Sequence, residues 1–204
     1  MKHLAETARS STHLNMNKMF QLIQLNVRKQ DTVHDSLMND EEIQDAMVLA
    51  IQEPQACRIQ GRLLTTPMGH RKWTKMVLST WREGRWPIRS MIWINKEVEA
   101  EQVPIESPDM TAAVIRLPDQ LVLVASVYVP GGNPQALQDT CKSLHKAVLD
   151  IRQKAGTEVD VVIARDFNWH DQLWGGDDVS LERQGEVDPI IDLMSELALS
   201  SLLQ

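Results

Sequence analysis

"VVIARDFNWHDQLWGG", residues 161–176, carries an apolar run straight into an acid and an amide. Its first residues have the continuous apolar character of a strand covered on both faces. Asp166, Phe167 and Asn168 follow, and then a loop with Trp169, His170 and Asp171. Immediately upstream lies the clearest helix of the chain, "GGNPQALQDTCKSLHKAVLDIRQKAG" (131–156). Asn133 suits its N-cap, Pro134 its first turn and Gly156 its stop. Leu137, Cys141, Leu144, Val148 and Ile151 step by fours and threes, drawing one apolar stripe.

Further upstream the pattern changes. "MFQLIQLNV" (19–27) alternates loosely, as a strand does. "HDSLMNDEEIQDA" (34–46) reads as a helix and "MVLAIQEP" (47–54) as a buried strand stopped by Pro54. "KMVLST" (75–80), "SMIWIN" (90–95), "TAAVIRL" (111–117) and "LVLVASVYVP" (121–130) are short strands with no helix between them, which predicts antiparallel pairing. Residues 97–110, with Pro104 and Pro108, read as a loop, and "DPIIDLMSELALSSLL" (188–203) reads as a final amphipathic helix. Strands that pair directly, combined with strands linked by helices, predict an α/β sandwich of mixed sheets with helices packed outside.

A chain of 204 residues suits one well-buried domain. Cys57 and Cys141 form no CxxC pair, and are expected to be buried, reduced thiols of an intracellular protein. No apolar run reaches membrane-spanning length, so no membrane partner is expected. Residues 1–18 are polar, lack a signal peptide's apolar core, and read as a flexible tail. The net charge of −7 is unevenly spread. From Arg58 to Lys96 nine basic residues face Glu83 alone, whereas from Thr157 onward eleven acids face only Arg165 and Arg183. Such polarity fits a basic flank beside an acidic pocket, or simply two solvated faces.

Polar groups recur where strands run out: Asn26, Glu53, Tyr128, and Asp166 with Asn168. Ligands of α/β sheets gather outside strand ends, so these groups are candidates for one pocket. Taken singly, each also has a structural reading: Asn or Asp as turn former, Glu53 as a surface residue, Tyr128 as core with a satisfied hydroxyl.

Taken in order, "QLNV" (24–27), "LAIQEP" (49–54), "SVYVP" (126–130) and "RDFN" (165–168) resemble the endonuclease/exonuclease/phosphatase superfamily. "IQEP" and "DFNWHDQLWGG" are closer still to the endonuclease domain of non-LTR, LINE-type retrotransposons of the fungal Tad-like branch. The resemblance covers about residues 19–204. It implies a four-layer α/β sandwich, with two mixed β-sheets flanked by helices, that cuts phosphoester bonds with a divalent metal, Mg²⁺ or in its place Mn²⁺. By the resemblance, Glu53 is a metal ligand supported by Asn26, and Asp166 orients and deprotonates the attacking water. Asn168 and Tyr128 donate to phosphate oxygens.

The implied function is a DNA endonuclease domain of a reverse transcriptase polyprotein that nicks target DNA, in the nucleus when acting on host DNA. A reverse transcriptase domain or RNA of the same element is a further implied partner. The basic stretch with Trp73, Trp81, Trp86 and Trp93 offers Arg58, Arg62, Arg71 and Lys72 as contacts to the DNA backbone, while Trp93 reads as core. His170 has no second His or Cys at ligand spacing and reads as a loop residue, with Trp174 as a loop anchor.

Three departures qualify the resemblance. Arg165 stands where relatives carry Gly, bringing bulk and positive charge beside Asp166. Ser126 stands where many carry Asn. The relatives' closing Ser-Asp-His motif has no match, so a copy truncated at the C-terminus, with an open sheet edge, is expected. The alternative to an active nuclease is therefore a catalytically inactive remnant or nucleic-acid-binding protein of the same fold. A small-molecule or lipid phosphatase of the superfamily is a third, weaker reading.

Overall fold

The computed structural model describes residues 19–78, 81–84, 86–168 and 186–201. The first half of the chain forms β1 (Leu22–Asn26), α1 (Asp31–Asn39), β2 (Val48–Gln52), β3 (Gln55–Ile59), β4 (Arg62–Thr66), β5 (Trp73–Met76) and β6 (Ser90–Asn95). The second half forms β7 (Glu99–Val103), β8 (Met110–Leu117), β9 (Gln120–Tyr128), α2 (Pro134–Ala155), β10 (Val159–Asp166) and α3 (Asp188–Leu197).

Two four-stranded sheets, ordered β1-β2-β6-β5 and β10-β9-β8-β7, pack face to face. Both are mixed. β1 runs parallel to β2 and β10 parallel to β9, while the remaining neighbours in each sheet are antiparallel. Alternation along each strand divides its side chains between two layers. Val48, Ile92 and Ile94 of the first sheet meet Ala113, Ile115, Val122 and Val124 of the second. The opposite faces turn outward. Leu49, Ile51, Met91 and Trp93 pack on Met38 of α1. Leu123, Ala125 and Val127 pack on Leu137, Leu144 and Val148 of α2 and on Ile190 and Leu193 of α3. Helix, sheet, sheet, helices: the four layers are those expected.

Helix α2 has the predicted ends. Asn133 Oδ1 accepts from the Ala136 N–H at 3.0 Å, and Gly156 closes the helix at φ 62°. An αL residue there favours Gly, which has no Cβ to clash.

Several elements differ from the sequence reading. Helix α1 starts at Asp31 and stops at Asn39, so 40–46 turns rather than continuing as helix. Helix α3 ends at Leu197, where Ala198 adopts φ 56°, rather than at 203. Strand β5 covers Trp73–Met76, earlier than 75–80. The expected loop at 97–110 contains β7, whose Glu99 and Glu101 hide its apolar alternation and pair with Arg116 on β8. The hairpin β3–β4, joined by Gln60 and Gly61 at φ 50° and 75°, was not expected from the sequence. Strand β10 is an edge strand with Val161, Val162 and Ile163 half-buried, not covered on both faces. Cys141 is buried, but Cys57 is exposed because alternation in β3 points Ala56 inward. No described helix is long and apolar enough to cross a membrane.

Candidate active site

The two parallel strand pairs end at the same place. Asn26 lies opposite Gln52 in one sheet, and Asp166 opposite Tyr128 in the other. Side chains then stitch the two sheets together. Gln52 is fully buried, and its Nε2 donates to Ser126 Oγ at 3.1 Å and to the Ala164 carbonyl at 3.2 Å. Ser126 Oγ donates to the Ile51 carbonyl at 3.3 Å, and Ser90 Oγ to the Ser126 carbonyl at 2.6 Å. Ser126, a departure from relatives, is thus part of the bridge between sheets. At the edge strands, Gln24 Nε2 donates to the Arg165 carbonyl and Asn26 Nδ2 to Asp166 Oδ2, each at 2.5 Å.

Past the end of β2, Glu53 adopts φ 48° and its N–H donates to the Arg89 carbonyl at 2.9 Å. A left-handed non-Gly residue after a strand is strained, and such strain concentrates at functional sites. The Glu53 side chain is 13% exposed, and its Oε1 accepts from Lys29 Nζ at 2.6 Å. Tyr128 is half-buried, and the charges of Glu53 and Asp166 act on its hydroxyl. Burial raises the Tyr128 pKa above the usual phenol value; the Glu53 carboxylate and, more weakly, Asp166 push the same way, while Arg89 opposes them. Tyr128 therefore stays a protonated donor at neutral pH. Arg89 stacks on its ring at 4.6 Å and binds Asp109 through Nε at 2.7 Å and Nη2 at 2.9 Å. Arg82 also pairs with Asp109.

The structure therefore brings Asn26, Glu53, Tyr128 and Asp166 into one cluster. Asn168 lies two residues beyond Asp166, at φ 48°, and its amide donates to the Val129 carbonyl at 3.1 Å. The backbone packs tightly there: a Cβ on Gly131 would stand 2.8 Å from the Asn168 carbonyl oxygen, so the approach requires glycine. Arg165 precedes Asp166 on β10. Alternation turns neighbours on a strand to opposite faces, and its guanidinium lies over the Phe167 ring at 5.2 Å. Burial lowers the Arg165 pKa. His170 and Trp174 fall outside the described residues.

The basic candidates separate. Arg58 pairs with Glu83 at 2.5 Å and lies over Trp81 at 5.5 Å, while Lys72 Nζ binds Gln44. Arg62 and Arg71 are exposed. Trp73 and Trp93 are core, and Trp81 and Trp86 are half-buried. Sequence reasoning missed Lys29, Gln52, Arg89 and Asp109. Only Gln52 carried a signal, as the one polar residue in the buried run Val48–Gln52.

Among the described residues no group of three His, Cys, Asp or Glu side chains converges on a point. Mg²⁺ does not need one. It is held by one or two carboxylates, several waters and substrate phosphate. The donors here are hard oxygens, and the Glu53 carboxylate already attracts a cationic group, Lys29. The residue set fits a magnesium-type ion.

Two face-to-face mixed sheets with a cluster at the shared end of their parallel pairs define the endonuclease/exonuclease/phosphatase class of fold, and this chain has it. Its fold is similar to those of solved endonuclease domains. Residues 122–204 match the family model described as endonuclease-reverse transcriptase. The endonuclease domain of TRAS1, a telomere-specific non-LTR retrotransposon, superposes with a TM-score of 0.61 at 16% identity, over 91% of this chain and 74% of that one. The AP endonuclease LMAP from Leishmania major gives 0.65 at 12% identity, over 94% and 71%. The human Nocturnin catalytic domain, solved with a bound sulfate anion, gives 0.52 at 13% identity, over 74% and 64%. No curated protein sequence matches the chain.

Proposed function

We propose that the chain is a magnesium-dependent DNA endonuclease domain, of the kind that non-LTR retrotransposons use to nick target DNA. Acting on host DNA places it in the nucleus, with a reverse transcriptase domain or RNA of the same element as partners. The observation that carries this reading is the hydrogen bond between Asn26 and Asp166, which joins two sheets at the cluster that also holds Glu53 and Tyr128.

Glu53 and Asp166 are the carboxylates available to a dication. When bound, Mg²⁺ polarises the phosphate and stabilises the leaving oxygen. Asn26 fixes Asp166: its amide donates to the carboxylate while its own oxygen accepts from the Arg28 N–H at 2.8 Å. So oriented, Asp166 takes a proton from a water in line with the scissile bond. Tyr128 donates its hydroxyl proton to a phosphate oxygen as charge builds there. Asn168 does the same once its amide leaves the Val129 carbonyl. Arg62 and Arg71 hold the DNA backbone.

The test is nicking of supercoiled plasmid in Mg²⁺, with Mn²⁺ as substitute ion. Folded wild-type protein should nick and Glu53→Ala should not; absence of nicking by wild type in both metals overturns the enzyme reading. The engagement of Glu53 by Lys29 favours a second reading, a non-catalytic nucleic-acid-binding protein of this fold, which predicts salt-sensitive DNA binding without nicking.

A further inference from the structure

Just past Asn26 and Val27 the backbone turns through two consecutive left-handed residues, Arg28 at φ 49° and Lys29 at φ 61°. Neither is glycine, so the turn is strained and persists only because its surroundings fix it. What fixes it is Glu53. The Lys29 N–H donates to the Glu53 carbonyl at 2.7 Å, and Lys29 Nζ reaches Glu53 Oε1 at 2.6 Å. The same ammonium lies 5.2 Å from the centre of the Trp86 ring, which attracts cations through its π face. Lys29 is thus held to the carboxylate by its backbone, its charge and an aromatic wall. A half-buried carboxylate needs such a partner, because leaving it unpaired away from water is costly.

Resting on the metal reading above, we infer that Lys29 is a resident cation that holds Glu53 in place of the dication and must be displaced for metal to bind. Two positive charges in contact with one carboxylate repel each other, so Lys29 weakens metal binding to the free protein. A phosphodiester reverses the balance. It brings negative charge that stabilises the dication and gives the displaced ammonium an acceptor on the same tether. Metal and DNA are therefore taken up together, and free protein in Mg²⁺ alone stays largely unloaded.

The test is Mn²⁺ binding to the full chain without DNA, followed by the electron paramagnetic resonance of free Mn²⁺. Lys29→Met should bind Mn²⁺ about fivefold more tightly than wild type, roughly the worth of one partly exposed ion pair. Lys29→Arg, which keeps the charge, should stay weak, and adding Glu53→Gln to Lys29→Met should abolish the gain. Equal, Glu53-dependent affinity in wild type and Lys29→Met overturns the inference and leaves the metal site standing. Binding that no Glu53 substitution alters overturns the metal site as well. A second measurement needs no lysine variant: Mg²⁺ with a short DNA duplex should change tryptophan emission in wild type and not in Trp86→Phe, as the ammonium leaves the indole. An identical change in Trp86→Phe contradicts displacement of Lys29.

Discussion

Asn26 and Asp166 stand 140 residues apart and at the ends of edge strands in different sheets, yet the amide of one donates to the carboxylate of the other. A contact so distant in sequence cannot be a local turn or cap. It needs both sheets to be formed and correctly packed, which ties the chemistry of Asp166 to the fold.

Removing that chemistry should leave the fold intact. Asp166→Asn keeps a group able to hydrogen-bond Asn26 but loses the base, so nicking should fall by roughly 10²–10⁴-fold with an unchanged melting temperature. Tyr128→Phe, which loses one donor to phosphate, should fall as well, in kcat more than in KM. Single-turnover plasmid nicking with a parallel thermal melt reads both.

Gln52 should matter to stability before it matters to catalysis. Its buried amide joins β2 to Ser126 and Ala164 of the other sheet. Gln52→Leu leaves the Ser126 hydroxyl and the Ala164 carbonyl without that donor, at a cost of about 1–3 kcal/mol. Urea unfolding followed by circular dichroism should show a lower midpoint at unchanged slope.

His34 makes stability depend on acid. It is fully buried beneath the first sheet, where Trp93 Nε1 donates to its Nε2 at 2.9 Å. Burial lowers its pKa from 6.5 to about 4. The unfolded chain therefore takes up a proton below pH 6.5 that the folded chain refuses until about pH 4. Stability contributed by neutral His34 is complete above pH 6.5 and is lost as pH falls through that window, by about 3 kcal/mol in all. In His34→Gln the slope of unfolding free energy between pH 6.5 and 4 should flatten; an unchanged slope assigns it to other groups.

Basic residues should separate by their present partners. Reversing the exposed Arg62 or Arg71 to Glu should weaken DNA binding and make the slope of log K against log salt shallower by about one for each phosphate no longer neutralised. Arg58 is engaged with Glu83 and Lys72 with Gln44, so substituting either should change DNA affinity less. Fluorescence anisotropy of a labelled duplex at several salt concentrations distinguishes the two pairs.

The layers were legible in the sequence because apolar runs such as Val48–Ile51 and Met91–Ile94 carry their own period, and because Asn133 and Gly156 mark α2 chemically. The elements that escaped are those whose stability comes from neighbours. Strand β7 alternates Glu with Ala and Gln and exists by pairing with β8, and the hairpin β3–β4 offers only Ala56 and Leu63 to a small cluster that Leu78 and Ile88 complete. The cluster was visible as motifs at strand ends. Its supports were not, because Lys29, Arg89 and Asp109 act through contacts made only when β1, β2, β6 and β9 converge.

The central claim is that Asn26, Glu53, Tyr128 and Asp166 surround one place fit for a dication and a phosphodiester. The most direct measurement is anomalous diffraction from crystals soaked in saturating Mn²⁺ with a mononucleotide. The account predicts a manganese peak about 2.1 Å from a Glu53 carboxylate oxygen, with the phosphate beside Tyr128 and Asp166. A peak held by other residues, or none at saturation, contradicts it.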